Sequence, residues 1–568
     1  MNKKALGSLL LGVALATLTA GTASAQGTSQ KKETPKGWHL MDKDKDGFNG
    51  ISLAGAYELV KNKKSTTVVV AVIDSGIDTL HEDLKDVLWK NPKEIPGNGI
   101  DDDKNGYVDD VYGWNFIGGK DGRNVKSDSY EGARVYHKLK ARWANKQVDP
   151  STLSDEEREE YQTWMRAKNK IEDASIGGGV DLLLLKRALI AAKKNDSVLK
   201  AAMGKDVYTG KELDEYTPAA SDAKAARNSF LYLFKANDIM DQTNKEFIEG
   251  FGDYLAGEER KAEAKERAPK DMRGEITGDN EADINDRFYG NPDVMAGTPF
   301  HGTHVAGIIG AARSNGKGMD GVADNVKIMM IRAVPDGDEH DKDIALAIRY
   351  AVDNGAKIIN MSFGKDFSPE KKWVDDAVKY AESKGVLLVH AAGNDHKNLD
   401  STYNFPNADL QSFKERANNW LTVGASSDPT AEAEFKSLTA SFSNFGKKEV
   451  DVFAPGTKIY STIPGGTTYG NAQGTSMASP VVAGVAALIL SYNPHLTPQQ
   501  LKMVIEKSST PVTIKVKRPG TENEMVEMSE LSRTAGIINA KEAMKLALSI
   551  KPDSKDNLPK STLKNKKG

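Results

Sequence analysis

Cysteine is absent from this chain, and that absence closes off three kinds of chemistry at once. No thiol nucleophile, disulfide framework or zinc–thiolate site can be built. A lipid-modified N-terminal cysteine is excluded for the same reason. An excess of either charge is also missing. The 77 Lys and Arg residues nearly cancel the 80 Asp and Glu residues, leaving a formal net charge of −3. Nothing global points to nucleic acid or an anionic membrane as partner. Beyond the N-terminus, no second apolar run of membrane-spanning length is read. The 39% hydrophobic content is ordinary for a chain that buries a sizeable core. Its 568 residues suffice for several domains or for one large domain with insertions.

What is present begins with an export signal. Lys3 and Lys4 form a positive end, Ala5 to Leu18 is apolar, and Ala23-Ser24-Ala25 fits a cleavage site before Gln26. Residues 1–25 are expected to be removed. The mature protein is then expected in the periplasm or medium, with no membrane attachment.

Several apolar runs alternate with helical patterns. Thr66–Ile73, Val326–Ile331, Lys357–Ser362, Val386–Ala391, Val450–Phe453 and Lys458–Thr462 read as strands. Leu53–Lys61, His301–Ala312, Asp341–Asn354, Val374–Lys384, Ser476–Tyr492, Thr497–Ser508 and Ala540–Ser549 read as helices. Such alternation predicts an α/β fold with a mostly parallel central sheet covered by helices on both faces. From 117 to 291 the character changes to charged, Ala- and Lys-rich stretches. Helices are predicted there over Ser154–Asp173, Val180–Lys194, Ala223–Glu249 and Tyr254–Glu266, with Ser154 and Glu157 forming a capping box. The expected organisation is a signal peptide (1–25), an extension (26–64), a first domain part (65–116), an inserted helical subdomain (117–291), a second domain part (292–550) and a Lys-rich disordered tail (551–568).

Three segments carry the chemistry. Val69-Val70-Ala71-Val72-Ile73-Asp74-Ser75-Gly76 ends a buried strand on a carboxylate. His301-Gly302-Thr303-His304-Val305-Ala306-Gly307 supplies imidazoles. Gly474-Thr475-Ser476-Met477-Ala478-Ser479-Pro480 puts a hydroxyl at a helix start. A serine hydroxyl needs a base to become a nucleophile at neutral pH, and the base needs a group that orients it.

In this order, the three segments resemble the subtilisin-like (subtilase, S8) secreted serine peptidases. The resemblance covers residues 68–114 and from Pro292 to about Leu548. It implies a subtilisin-like three-layer fold and a triad of Asp74, His301 and Ser476 acting as orienter, base and nucleophile. His304 is then structural. Ala391-Ala392-Gly393-Asn394 resembles the family's oxyanion segment, so Asn394 would donate beside the Ser476 N–H. Ser362, Phe363 and Gly364 resemble the strip that pairs with a peptide substrate. Together with Ala392 and Gly393 they would flank the pocket for the residue before the cut, floored within 395–406. Protein or peptide substrates are implied; the oligomeric state is left open. The stretch between Ala25 and Asp74 is too short for the N-terminal prodomain of many relatives. Two other readings are weighed. One is a capped, catalytically silent binding protein on the same fold. The other is an acyl hydrolase acting on esters, which the lack of a G-x-S-x-G elbow disfavours.

No cofactor is expected for catalysis, but a structural calcium is predicted. Asp101, Asp103, Asn105 and Asp109 match the first part of a D-x-D-x-N-G calcium loop. Tyr112 occupies the twelfth position in place of the bidentate Glu, and Asp110 is a candidate substitute. Asp42-Lys43-Asp44-Lys45-Asp46-Gly47 is a weaker look-alike. Asp83 matches a calcium ligand of some subtilases, although its companion loop, 314–319, does not align.

Overall fold

The computed structural model describes residues 34–551, apart from 145, 174–180, 237–238, 241, 298 and 429–436. The signal segment and residues 552–568 of the tail lie outside the described residues.

Strand β1 (Val68–Asp74) shows why the sheet forms as it does. Val68, Val70 and Val72 pack into one apolar cluster, while Ala71 and Ile73 pack into another. A strand buried on both faces must be apolar throughout rather than alternating. The other sheet strands are β2 (Gly113–Asn115), β3 (Val326–Arg332), β4 (Ile358–Met361), β5 (Leu387–Ala391), β6 (Trp420–Ser426) and β7 (Val452–Pro455). Strands β8 (Ile459–Ile463) and β9 (Thr468–Ala472) form a separate antiparallel hairpin, so the strand expected at 458–462 lies outside the main sheet. Two short strands, β10 (Thr510–Pro511) and β11 (Gly536–Ile537), complete the order β10-β11-β7-β6-β5-β4-β1-β3-β2. All neighbours are parallel except β10 and β11.

Helices cover both faces, giving three layers. The ranges are α1 (Leu53–Val60), α2 (Glu131–Trp143), α3 (Asp155–Asp173), α4 (Leu182–Met203), α5 (Ser221–Ala236), α6 (Asn244–Glu263), α7 (Phe300–Gly310), α8 (Asp341–Asp353), α9 (Lys371–Ser383), α10 (Thr475–Tyr492), α11 (Pro498–Ser508) and α12 (Ala540–Ala547). Helices α7 and α10 pack in one cluster; α8 and α9 pack in the other. Helix α10 is long and apolar enough to cross a membrane by composition, which corrects the sequence reading. Its most apolar stretch is 89% buried, as a core helix is.

The helical stretch differs from expectation in its grouping. Helix α2 was not anticipated, and the patterns over 223–249 and 254–266 regroup into α5 and α6. The cause is local. Thr243 accepts the Glu246 N–H while the Glu246 side chain accepts the Thr243 N–H, a capping box that starts a new helix. The capping box predicted at Ser154 and Glu157 is formed. Leu185, Leu189, Leu199, Phe230, Phe234, Phe247 and Phe251 share an apolar cluster of their own.

Candidate active site

Asp74 closes β1 at the point where the strand order reverses, with β3 on one side and β4 on the other. Open α/β sheets bind ligands in the crevice at such a point. The residue is only 2% exposed. Its Oδ1 accepts the Ser75 N–H at 2.8 Å and the His301 Nδ1–H at 2.7 Å; Oδ2 lies 2.9 Å from the same nitrogen. A carboxylate accepts only, so Nδ1 carries a proton, and in the neutral ring it is Nε2 that has the lone pair. His301 lies in the first turn of α7. The next residue must be glycine, because a Cβ at Gly302 would sit 2.1 Å from the Gly76 carbonyl oxygen.

Ser476 lies in the first turn of α10. Its hydroxyl donates to the Ser362 carbonyl at 3.1 Å, and no hydrogen bond joins it to His301. A chain of contacts that sequence reasoning missed supports this turn from behind. Ser362 Oγ donates to the Ser476 carbonyl at 3.0 Å, Asn360 Nδ2 donates to Ser362 Oγ at 2.9 Å, and Ser479 Oγ donates to Asn360 Oδ1 at 2.8 Å. Ser479 lies within the motif around Ser476, which was the available signal.

Asn394 follows β5. Its Oδ1 accepts the Thr475 N–H at 2.8 Å and the Thr475 hydroxyl at 3.1 Å. These donors fix the amide orientation, leaving Nδ2 without a partner among the described residues. Gly393 has a φ of +99°, and its N–H donates to Thr475 Oγ1 at 3.0 Å. Asn404 Nδ2 and Asn444 Nδ2 donate to the Ala392 carbonyl at 3.1 and 2.8 Å. A Cβ at Gly364 would lie 2.6 Å from Asn404 Oδ1. Asn404 therefore joins the strip Ser362, Phe363 and Gly364 to Ala392 and Gly393.

His304 faces away from this site. It is fully buried, and Nε2 lies 3.0 Å from the Ile459 carbonyl and 3.2 Å from the Gly470 carbonyl. Burial pushes its pKa down to about 3, so it is neutral and bonded to the β8–β9 hairpin.

The acidic loop is only partly as expected. Asp101 and Asp103 come together with Glu94, their ligand atoms all within 4.8 Å of one another. Glu94 is 7% exposed; its Oε1 accepts the N–H groups of Asp102 and Asp103, while Oε2 is buried without a partner. Asp109 instead accepts the N–H groups of Gly97, Asn98 and Gly99, and Asn105 donates to Asp110 at 3.0 Å. Burial raises the Asp110 pKa to about 6, and it also accepts from Tyr350 and Asn91. At the look-alike loop, Asp42 caps a short helix by accepting the Asp44 and Lys45 N–H groups. Asp83 accepts from Asn315 at 2.6 Å and from Tyr469 at 2.8 Å.

A carboxylate-held imidazole at the carboxyl end of β1 and a serine in the first turn of a core helix sit in an α/β protein with a mostly parallel central sheet. The model of the subtilase family, Peptidase S8, matches residues 65–536. A thermophilic serine proteinase from a Bacillus species (strain AK1) is 43% identical over 192 residues, which are 34% of this chain and 42% of that relative. Subtilisin BL from Lederbergia lenta is 36% identical over 222 residues, 39% of this chain and 74% of the relative. A solved protease structure from Pseudoalteromonas arctica covers 91% of this chain and all of its own, at 19% identity and a TM-score of 0.43. The chain belongs to the subtilase family.

Proposed function

We propose that this chain is a secreted serine endopeptidase that hydrolyses peptide bonds through an acyl-enzyme. The Asp74–His301 bond carries the reading, because it engages Nδ1 and leaves Nε2 of a part-exposed ring to act as the base. Ser476 attacks the scissile carbonyl as His301 takes its proton; His301 then returns the proton to the leaving amine. The Ser476 hydroxyl must turn from the Ser362 carbonyl to do this. Such tightening on substrate binding is common in hydrolases, whose resting hydrogen bonds are often loose. Water then repeats the attack on the acyl-enzyme. Acid, base and nucleophile are all protein groups, so the chemistry calls for no metal.

The developing oxyanion would be held by Asn394 Nδ2 and the Ser476 N–H. Asn394→Leu is expected to lower kcat by about 10²–10³-fold with KM nearly unchanged, since the bond strengthens only in the transition state. A proportional rise in KM would instead assign Asn394 to ground-state binding. Substrate would pair with Ser362, Phe363 and Gly364, with its side chain toward Ala392, Gly393 and Asn404.

The same reading takes 1–25 as a cleaved export signal, placing the mature protein outside the cytoplasm. It takes 117–291 as a helical insertion between the two peptidase parts, 65–116 and 292–550. A structural calcium would be held by Glu94, Asp101 and Asp103, where the buried Glu94 Oε2 is an unused oxygen donor. Calcium in 100-fold excess over its Kd should stabilise the protein by about 2.7 kcal/mol in thermal unfolding. Glu94→Gln should remove that gain; an equal gain in the variant would refute the site.

The direct test of function is intact mass after treatment with a fluorophosphonate, beside Ser476→Ala. One adduct, absent from the variant, is expected. A folded protein that takes no adduct would favour the capped, silent alternative.

A further inference from the structure

Because β3 and β4 flank β1, the loops that follow them stand on either side of Asp74 at its carboxyl end. Any peptide reaching Ser476 passes between these two rims, residues 336–339 and 362–365, an assumption that rests on the function proposed above. Both rims are tied to the same turn of α2. The Glu131 N–H donates to Asp338 Oδ2 at 2.8 Å. Arg134 donates to the carbonyls of Asp338 at 3.1 Å and Glu339 at 3.3 Å, and pairs with the Glu131 carboxylate at 2.7 Å. That carboxylate also accepts from Lys365 Nζ at 2.8 Å. The Lys365 side chain is 1% exposed and directly follows Gly364. Its ammonium also donates to the Glu339 carbonyl at 2.7 Å and pairs with Asp341 at 2.8 Å.

Further contacts fix the first rim. Asp128 N donates to the Asp336 carbonyl at 2.9 Å, Asp336 N to the Lys126 carbonyl at 3.0 Å, and Asp338 N to the Ser129 carbonyl at 3.2 Å. A Cβ at Gly337 would lie 2.3 Å from the Asp128 carbonyl oxygen. Arg260 of α6 reaches the Asp336 carbonyl and carboxylate, each at 3.3 Å.

We infer that Glu131 and Arg134 are positioning residues that set the separation of the two cleft rims, and so the affinity for extended peptides. The helical stretch is then a strut of the cleft rather than a detachable cover. Neither residue bonds to Asp74, His301 or Ser476, so their action on the reaction is indirect. The link is stiff because its charges are buried and paired. Such pairs hold geometry and are costly to break on one side.

The test uses Glu131→Gln, which keeps the side-chain volume and leaves Lys365 its Asp341 partner. KM for succinyl-Ala-Ala-Pro-Phe-p-nitroanilide should rise about tenfold with kcat within about twofold. The rate with p-nitrophenyl acetate, which occupies no rim, should stay within about twofold of wild type. Unchanged KM, or an equal loss on both substrates, would overturn the inference. A second measurement needs no turnover. In a Ser476→Ala background, a fluorescein-labelled Ala-Ala-Pro-Phe-Ala-Ala peptide should bind about tenfold more weakly when Glu131→Gln is added. Equal binding would overturn the strut even if the wild type proves inactive, whereas an inactive wild type alone counts against the proposed function. If Glu131→Gln does not fold, Arg134→Lys serves in its place, since it keeps the charge but not the forked bonds to the Asp338 and Glu339 carbonyls; a weakening of about threefold is expected, and no weakening would overturn the inference.

Discussion

His301→Ala is expected to lower kcat on a peptide anilide by on the order of 10⁶-fold, the size that loss of the base has in subtilisin itself. The protein should remain folded. The His301 ring is part-exposed and, among the described residues, bonds only to Asp74, which keeps its bond from the Ser75 N–H. His304→Ala should do the reverse. That ring is enclosed, and its removal strands the Ile459 and Gly470 carbonyls and opens a cavity under the β8–β9 hairpin. A loss of about 2–4 kcal/mol in urea unfolding is expected, with kcat within about tenfold of wild type. If both variants lost activity and stability alike, the division between a catalytic and a structural histidine would be wrong.

The second large effect is on stability. Arg273→Met should cost about 3–5 kcal/mol, read from urea unfolding. Arg273 is fully buried; it donates to both oxygens of Asp343 at 2.8 and 2.7 Å and to those of Asp279 at 2.8 and 3.2 Å. Lys342 pairs with Asp279 as well and donates to the Asn280 carbonyl at 2.7 Å. Methionine fills much of the space but leaves Asp343 buried beside Tyr289 without its cation. Burial by itself would raise the Asp279 pKa; the bonds from Arg273 and Lys342 outweigh it and pull the group down to about 2. Its folded pKa is thus below the ordinary 3.8. The stability it contributes is present above that value and is lost as pH falls through about 2. Arg273→Met should flatten this acid limb, whereas removing the exposed Arg123–Asp121 pair should change little. An unfolding midpoint equal to wild type would show that the buried cluster adds nothing net.

Helix α2, strand β6 and the break before α6 escaped the sequence reading for definable reasons. The helix mixes buried Val135 and Tyr136 with charged residues that look solvated. The strand carries Thr422 and Gly424 among its apolar positions, which blurs a short run. The break before α6 rests on one capping pair inside a continuous helical pattern.

The sequence by itself determined the α/β layering and the placing of Asp74 at a strand end and of His301 and Ser476 at helix starts. Strands buried on two faces demand apolar runs, and the site groups sit at the ends of those runs or at helix starts, a short-range pattern. Only the tertiary structure decided which charges are buried and paired. Glu131 meets Lys365 across 234 positions and Arg273 meets Asp343 across 70. Glu94, not Asp109, turns toward Asp101 and Asp103. A carboxylate has the same letter whether it faces water, a metal or a guanidinium, and its partner is chosen by the path of the backbone.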